Sequence, residues 1–293
     1  MDIRDGNDRM MRLASIVLNS PQPIFSIKEI VNYSRECDLS LSEGFAFLIA
    51  AALGLDQEQK PEDRELFEQW IKPCIHLSDV KQYYSDPFYK AIPALGQAIG
   101  NWTYENERIR PGELFVEGDL RITSAGRVLP QLGFFSEEYS FPAVFENGSD
   151  WMSLAPNETV TLKQPIENAY GRVLTYGLGL GYYAFMTSRK PNVESVTIVE
   201  RDESANLLFT KYILPHFEFP NKIHLICADA IKYAENIRDD TYDCIFADFW
   251  RDAGDGIPQY KILKPLEKNA PHTHFSYWIE KSMDIYLDPT LWP

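Results

Sequence analysis

The stretch "LTYGLGLGYYAF", residues 174–185, decides how the second half of the chain folds. Three glycines, Gly177, Gly179 and Gly181, follow an apolar run and precede an aromatic one. Glycine weakens the interior of strands and helices, so this spacing indicates a loop that joins a strand to a helix. Such a loop lets a ligand approach the backbone closely. The ligand is either the pyrophosphate of a dinucleotide or a different adenosine-bearing cofactor.

Strands and helices alternate from Arg172 to the end of the chain. The predicted strands are apolar throughout, as parallel strands covered on both faces should be. They span residues 172–177, 195–200, 222–229, 242–250 and 272–280. This order predicts an α/β protein with a doubly wound, mostly parallel Rossmann-like sheet, whose ligands bind at the carboxyl ends of the strands.

Carboxylates follow the next three strands. Glu200 ends the second strand, at a distance from Gly181 where an acid can accept both hydroxyls of a ribose. Asp229 follows the third strand, where it either accepts from an adenine amino group or caps the next helix. Asp248 ends the fourth strand. Because the carboxyl ends of parallel strands share one edge, we expect these acids to lie near the glycine loop.

Four segments, "YGLGLG", "TIVERD", "ICADAI" and "YDCIFADFW", resemble the ordered motifs of class I S-adenosylmethionine-dependent methyltransferases. The sequence is most similar to the branch that includes spermidine synthases, and the resemblance covers roughly residues 150 to 280. It implies that S-adenosyl-L-methionine is the cofactor, with its methionine part on the glycines and its sulfonium beside Asp248. The implied cofactor contacts are Gly177, Gly179, Gly181, Glu200, Arg201, Asp229 and Ala230.

The resemblance implies transfer of a methyl group to a small-molecule or peptide acceptor, for which an amine is one option. Asp248 either orients the acceptor and accepts its proton or binds only the ammonium group of the cofactor. Four aromatic residues are expected to bind the substrate as an aromatic wall near the positive sulfonium, which they would attract through cation–π interactions, with ordinary core packing as the alternative. These residues are Trp151, Tyr182, Tyr183 and Trp250.

Three other functions stay open. An aminopropyltransferase of the spermidine synthase type fits the acidic charge, although Phe249 and Trp250 follow Asp248 where those enzymes carry an Asp-Ser pair. A nicotinamide-binding Rossmann protein fits "GLGYYA", residues 179–184, which matches G-x-G-x-x-A. A non-catalytic interaction protein would use the N-terminal helices as its binding module.

Amino-acid composition limits the classes of partner that the chain can bind. The formal net charge of −15 disfavours tight binding to nucleic acid, because that affinity depends on Lys and Arg. The acidic surface either provides solubility or attracts a cationic substrate. No apolar run reaches the ~18 residues of a membrane span. The four cysteines lack metal-site spacing, so we expect no metal and a cytoplasmic protein.

The chain divides into three predicted segments. Residues 1–110 form a helical N-terminal domain, residues 111–150 a β-rich segment, and residues 151–293 the S-adenosylmethionine-binding domain. Two capping boxes, Ser26 with Glu29 and Ser40 with Glu43, predict helix starts in the first segment. This helical domain caps the active site, selects the acceptor or forms a homodimer; the sequence leaves these roles open.

Overall fold

A computed structural model describes residues 1–92 and 95–292, which pack as two compact units. Unit 1 comprises Met1–Tyr83, Arg108–Ser140 and the C-terminal residues from Asp284. Unit 2 comprises Tyr84–Glu107 and Phe141–Met283. Since each unit combines separated parts of the chain, this division does not test the segment boundaries at residues 110 and 150. Those boundaries stay predictions.

The helices and strands are numbered in chain order. The α-helices are α1 (Ile3–Leu18), α2 (Ile27–Glu36), α3 (Leu41–Ala52), α4 (Pro61–Leu66), α5 (Val80–Tyr84), α6 (Pro87–Ala91), α7 (Pro156–Thr161), α8 (Lys163–Asn168), α9 (Tyr182–Ser188), α10 (Glu203–Tyr212), α11 (Ala230–Glu235), α12 (Ala253–Leu263) and α13 (Glu280–Leu287). The strands are β1 (Ile75–Leu77), β2 (Ala98–Ile99), β3 (Trp102–Ile109), β4 (Leu114–Ile122), β5 (Val128–Phe134), β6 (Tyr139–Glu146), β7 (Ser149–Ser153), β8 (Gly171–Tyr176), β9 (Val193–Glu200), β10 (Ile223–Cys227), β11 (Cys244–Ala247) and β12 (His274–Tyr277).

Unit 1 is a helical body with a small sheet. Ser26 and Ser40 start α2 and α3 with complete capping boxes, which confirms both predicted helix starts. The sheet has the order β1-β5-β4, in which β1 runs parallel and β4 antiparallel to β5. Its core is aromatic: Phe45 packs edge-on against Phe134, and Trp70 is fully buried.

Unit 2 contains the predicted doubly wound sheet. Its strand order is β10-β9-β8-β11-β12, and every paired neighbour runs parallel. The order reverses at β8, where the sheet turns from β9 on one side to β11 on the other. Ligands of doubly wound proteins bind at such a switch point. The α/β, doubly wound, mostly parallel Rossmann-like fold is therefore confirmed.

The strand ends of this sheet lie in register. The N–H of Gly177 donates to the carbonyl of Val199, and the N–H of Asp248 donates to the carbonyl of Tyr176. Cys227, the last residue of β10, pairs with Glu200. The loops that follow β8, β9, β10 and β11 therefore share one edge, as the sequence predicted.

A second, antiparallel sheet in unit 2 has the order β2-β3-β6-β7. β6 lies within the predicted β-rich segment, whereas β2 and β3 lie in the first segment, for which the sequence predicted only helices. After β7, α7 begins at Pro156, and Leu162 separates it from α8.

No helix in the described ranges is both long and apolar enough to cross a membrane.

Candidate functional site

A cavity of about 220 Å³ opens in unit 2 at the carboxyl edge of the parallel sheet. Its walls come from β7, from the start of α7, from the glycine loop with α9, and from the segment after β11. The cavity therefore lies where the sheet order reverses, which is the position expected for a ligand of this fold.

Two of the three loop glycines are required by packing. Gly177 has φ +96°, and a Cβ at this position would overlap the backbone carbonyl of Asp248. Gly181 has φ +79°, precedes α9 and packs against the ring of Phe209. Only Gly177 of these two lines the cavity. The predicted contact between Gly181 and a cofactor stays a prediction.

Gly179 lines the cavity, and Met152 lies against it there. A Cβ there would stand 2.9 Å from the sulfur of Met152, a residue of β7. The N–H of Leu180 donates to the same sulfur at 3.3 Å. Because a thioether is a weak acceptor, this N–H is available to a stronger one, such as a carboxylate. The loop therefore offers one weakly bound backbone N–H to a stronger acceptor.

Glu200 is tied to the glycine loop. Its carboxylate accepts hydrogen bonds from the N–H groups of Leu178 and Asp202, the latter at 2.9 Å. Burial raises the pKa of Glu200 despite these two bonds. The carboxylate is thereby oriented at the end of β9, beside the loop. Arg201 follows as an exposed residue, and its carbonyl accepts from the thiol of Cys227 at 3.4 Å.

Asp229 caps a helix. Its side chain accepts from the N–H of Lys232 at 2.9 Å, which fixes the first turn of α11. Asp229 is exposed, Ala230 is half-buried, and neither belongs to the described lining of the cavity. The structure thus contains the helix cap, and contacts to adenine stay a prediction for both residues.

Asp248 lies directly after β11 and lines the cavity. Burial raises the pKa of its carboxyl to about 7. Within residues 1–92 and 95–292, no hydrogen bond reaches this carboxyl group. A carboxyl that titrates near neutral pH can hold or accept a proton under physiological conditions.

Further carboxyl groups lie near Asp248, and the sequence did not single them out. Glu158 on α7 and Asp150 on β7 line the cavity, and Glu107 on β3 interacts electrostatically with Asp150. Burial raises the pKa of all three. One local signal indicates the strand that carries Asp150: Asn147-Gly148 is a hairpin turn dipeptide. No local pattern marks Glu158.

The four predicted aromatic residues all line the cavity. Trp151 carries the guanidinium of Arg251 on its face, 4.8 Å from the ring centroid. Tyr183 stacks on Phe246 at 4.4 Å, so it is anchored in the core. Two of the aromatics also have polar groups near the site. The hydroxyl of Tyr182 donates to Asp86 at 2.9 Å, and the indole nitrogen of Trp250 is buried without a partner in the described chain.

Comparisons with known proteins show which solved structures the chain resembles. No family model matches it, and no curated protein is similar to it. Spermidine synthase from Thermotoga maritima is 16% identical, with a TM-score of 0.36 over 46% of this chain and 48% of that one. A spermidine synthase in complex with the transition state analogue AdoDATO is 16% identical, with a TM-score of 0.37 over 46% and 50%. A Staphylococcus aureus protein assigned as a caffeoyl-CoA O-methyltransferase is 28% identical, with a TM-score of 0.28 over 36% and 49%.

This chain therefore spans about half the length of the solved structures it matches. By name these structures include spermidine synthases and a methyltransferase, and neither a reaction nor an acceptor of this chain follows from them.

Proposed function

We propose that this chain is an S-adenosylmethionine-dependent methyltransferase whose acceptor is a small cationic amine. The observation that supports this most strongly is a single cavity lined by the open glycine loop and by Asp150, Glu158 and Asp248. A loop that suits a cofactor and a carboxyl-rich wall that suits a cation thus face the same space.

Residues of the sheet edge would hold the cofactor. The N–H of Leu180 suits the carboxylate of its amino-acid end, and the oriented carboxylate of Glu200 suits its ribose hydroxyls. Asp229 and Ala230, at the next strand end, would contact the adenine. When bound, the cofactor supplies an activated methyl group for in-line displacement.

The acceptor side follows from charge. Arg251 is the only cationic side chain in the described lining of the cavity, and it already lies on Trp151. The lining thus contains three acidic side chains, Asp150, Glu158 and Asp248, against one cationic side chain. An ammonium group bound in the cavity would compensate negative charge on these acids. Because an ammonium nitrogen has no lone pair, it must lose a proton before it attacks, and Asp248 is positioned to accept that proton.

Aminopropyl transfer is the second candidate. The acceptor of that reaction is a diamine, which carries two ammonium groups and would suit the same carboxyl-rich wall. The two reactions differ in the cofactor, because aminopropyl transfer uses the decarboxylated form. The N–H of Leu180, which is bonded only to the weak acceptor Met152 sulfur, favours the carboxylated form, since decarboxylation removes its proposed partner.

Calorimetry with S-adenosylmethionine tests the proposed function. We expect saturable binding by wild type, with weaker binding of decarboxylated S-adenosylmethionine and of NADH. We expect Asp248→Asn to bind the cofactor within a few-fold of wild type and to lose methyl transfer to amines by roughly 10²- to 10⁴-fold. Asp240→Asn, in an exposed turn before β11, is the matched control.

The outcomes separate the candidates. No binding at millimolar S-adenosylmethionine would contradict the proposal. Tighter binding of the decarboxylated cofactor, with turnover of 1,4-diaminobutane, would favour aminopropyl transfer. Tighter binding of NADH would favour the nicotinamide alternative.

A further inference from the structure

Glu158 is a buried acid without a partner. Its side chain belongs to the first turn of α7, is 7% exposed and lines the cavity. No hydrogen bond or ion pair reaches its carboxyl group from the parts of the chain that the structure describes. Burying a carboxyl group without a hydrogen-bond partner is unfavourable, because its bonds to water are lost and not replaced. Packing alone would favour an apolar residue at this position.

The ionisable side chains that line the cavity around Glu158 are acids and phenols, with Arg251 as the one cation in the described lining. Burial raises the pKa of Glu158, and the charges of Asp248 and Asp150 raise it further. The walls also carry the neutral phenols of Tyr182 and Tyr183 from α9 and the guanidinium of Arg251. The guanidinium of Arg251 already has two other partners: its Nη2 lies 4.0 Å from Oε2 of Glu146, and the group lies on the face of Trp151. Glu158 and Asp248 are thus two adjoining carboxyl groups that lack a cation.

We propose that Glu158 is a second catalytic carboxyl group. Together with Asp248 it binds the ammonium group of the acceptor and accepts one proton from it. This inference rests on the proposed function. It adds a residue that neither the glycine loop nor the strand ends supply, because Glu158 precedes β8 and approaches the cavity from the β7–α7 segment.

The two carboxyl groups carry the same number of protons before and after the reaction. In this proposal, Glu158 and Asp248, which line the same cavity, hold one proton between them when no acceptor is bound, because ionising both carboxyl groups without a counter-charge is unfavourable. Binding of R–NH₃⁺ supplies that counter-charge and displaces the shared proton to solvent. The ionised pair then takes a proton from the ammonium: the N–H bond breaks, its electrons stay on nitrogen and an O–H bond forms.

The nitrogen lone pair then forms the bond to the methyl carbon while the carbon–sulfur bond breaks and its electrons go to sulfur. The pair is left with one proton, as at the start. The single proton that the overall reaction produces is therefore the one displaced when the acceptor bound.

Proton release on acceptor binding tests this inference. The probe is 1,4-diaminobutane, titrated at neutral pH in buffers of different ionisation enthalpy. We expect wild type to release about one proton per bound ammonium, following the linkage between charge and proton binding. We expect Glu158→Gln to lose most of this release and to bind the probe at least tenfold more weakly. Glu167→Gln, on the exposed side of the neighbouring α8, should behave as wild type.

Two further measurements keep the test decisive. Glu158→Asp should restore part of the proton release. In thermal unfolding, Glu158→Gln should be at least as stable as wild type, because only a carboxyl group with a structural role would lower stability when it is replaced. If wild type binds S-adenosylmethionine but Glu158→Gln keeps full proton release, or if wild type does not bind the diamine, this inference is wrong. Failure of wild type to bind S-adenosylmethionine would instead contradict the proposed function.

Discussion

At the scale of single residues, Met152 determines how the glycine loop meets the cavity. Its sulfur accepts the N–H of Leu180 and lies against the open side of Gly179. Under the proposed function, a cofactor carboxylate that binds Leu180 would displace this sulfur. Met152 would then compete with the cofactor for the loop, and the exchange would be favourable because a charged acceptor replaces a weak one.

We expect Met152→Ala to bind S-adenosylmethionine about five- to tenfold more tightly than wild type, because removal of a competing contact worth about 1 kcal/mol changes affinity by that factor. Met152→Leu fills the same space and should show little gain. Met186→Ala on α9, outside the described cavity lining, controls for general loss of packing. Calorimetry measures the affinities, and weaker binding by Met152→Ala would mean that this side chain supports the cofactor.

Glu158 shows why part of the site was not predictable from the sequence. Asp248 directly follows β11 and lines the cavity, and the common edge of parallel strands places it there without any knowledge of packing. Glu158 reaches the same cavity only because the hairpin of β6 and β7 carries the chain back along it. A position that depends on tertiary packing leaves no spacing pattern in the sequence.

At the scale of secondary structure elements, prediction succeeded where one hydrophobic pattern extended over the whole element. The five parallel strands are continuous apolar runs, and all of them were found. β3 was missed because its second half, residues 105–108, is polar and mostly charged, although Trp102 and Tyr104 alternate with more exposed neighbours as a half-buried strand requires. β7 follows a hairpin signal in the sequence, Asn147-Gly148, and both residues have positive φ as a two-residue turn needs.

One polar cluster links the elements of unit 1. Glu117 on β4 accepts from the hydroxyls of Ser78 at 2.5 Å and Tyr83 at 2.6 Å, and it also bonds the imidazole of His76 on β1. The Glu117 side chain is only 16% exposed. The carboxylate raises the pKa of His76, while the three partners outweigh burial and lower the pKa of Glu117.

We expect Glu117→Gln to lower the free energy of unfolding by about 2–3 kcal/mol, because a buried charged acceptor is lost. The raised pKa of His76 means that its contribution is present below the unfolded value of 6.5 and is lost as pH rises through the folded value. The lowered pKa of Glu117 means that its contribution is lost as pH falls below 4.5. The destabilisation should therefore be largest at about pH 5–6.5 and smaller on both sides.

Urea unfolding across this pH range measures the effect. Glu137→Gln, an exposed residue of the same unit, is the control for loss of one negative charge. A destabilisation by Glu117→Gln that stays constant from acid to alkaline pH would mean that the cluster contributes packing and neutral hydrogen bonds, with no contribution from the ion pair.

At the scale of the whole molecule, charge is the dominant property. The chain carries 43 acidic against 28 basic residues, a formal net charge of −15. Such an excess creates a negative potential that raises the local concentration of cations and speeds their association. The surface charge and the carboxyl groups of the cavity thus favour the same class of ligand, but they respond differently to salt, since exposed charges are screened over about 8–10 Å and buried ones much less.

This difference gives a prediction for 1,4-diaminobutane. Raising the ionic strength from about 0.02 M to about 0.5 M should slow its association several-fold, because the screening length falls from roughly 20 Å to roughly 4 Å. Adenosine, a neutral probe, should show no comparable change. Glu158→Gln should weaken diamine binding at every salt concentration while keeping the wild-type salt dependence of the association rate, since it removes a buried group and leaves the surface unchanged. Stopped-flow mixing measures these rates. An equal salt effect on adenosine would mean that ionic strength alters the fold or the cavity itself, and the acidic surface would then have no specific part in attracting a cation.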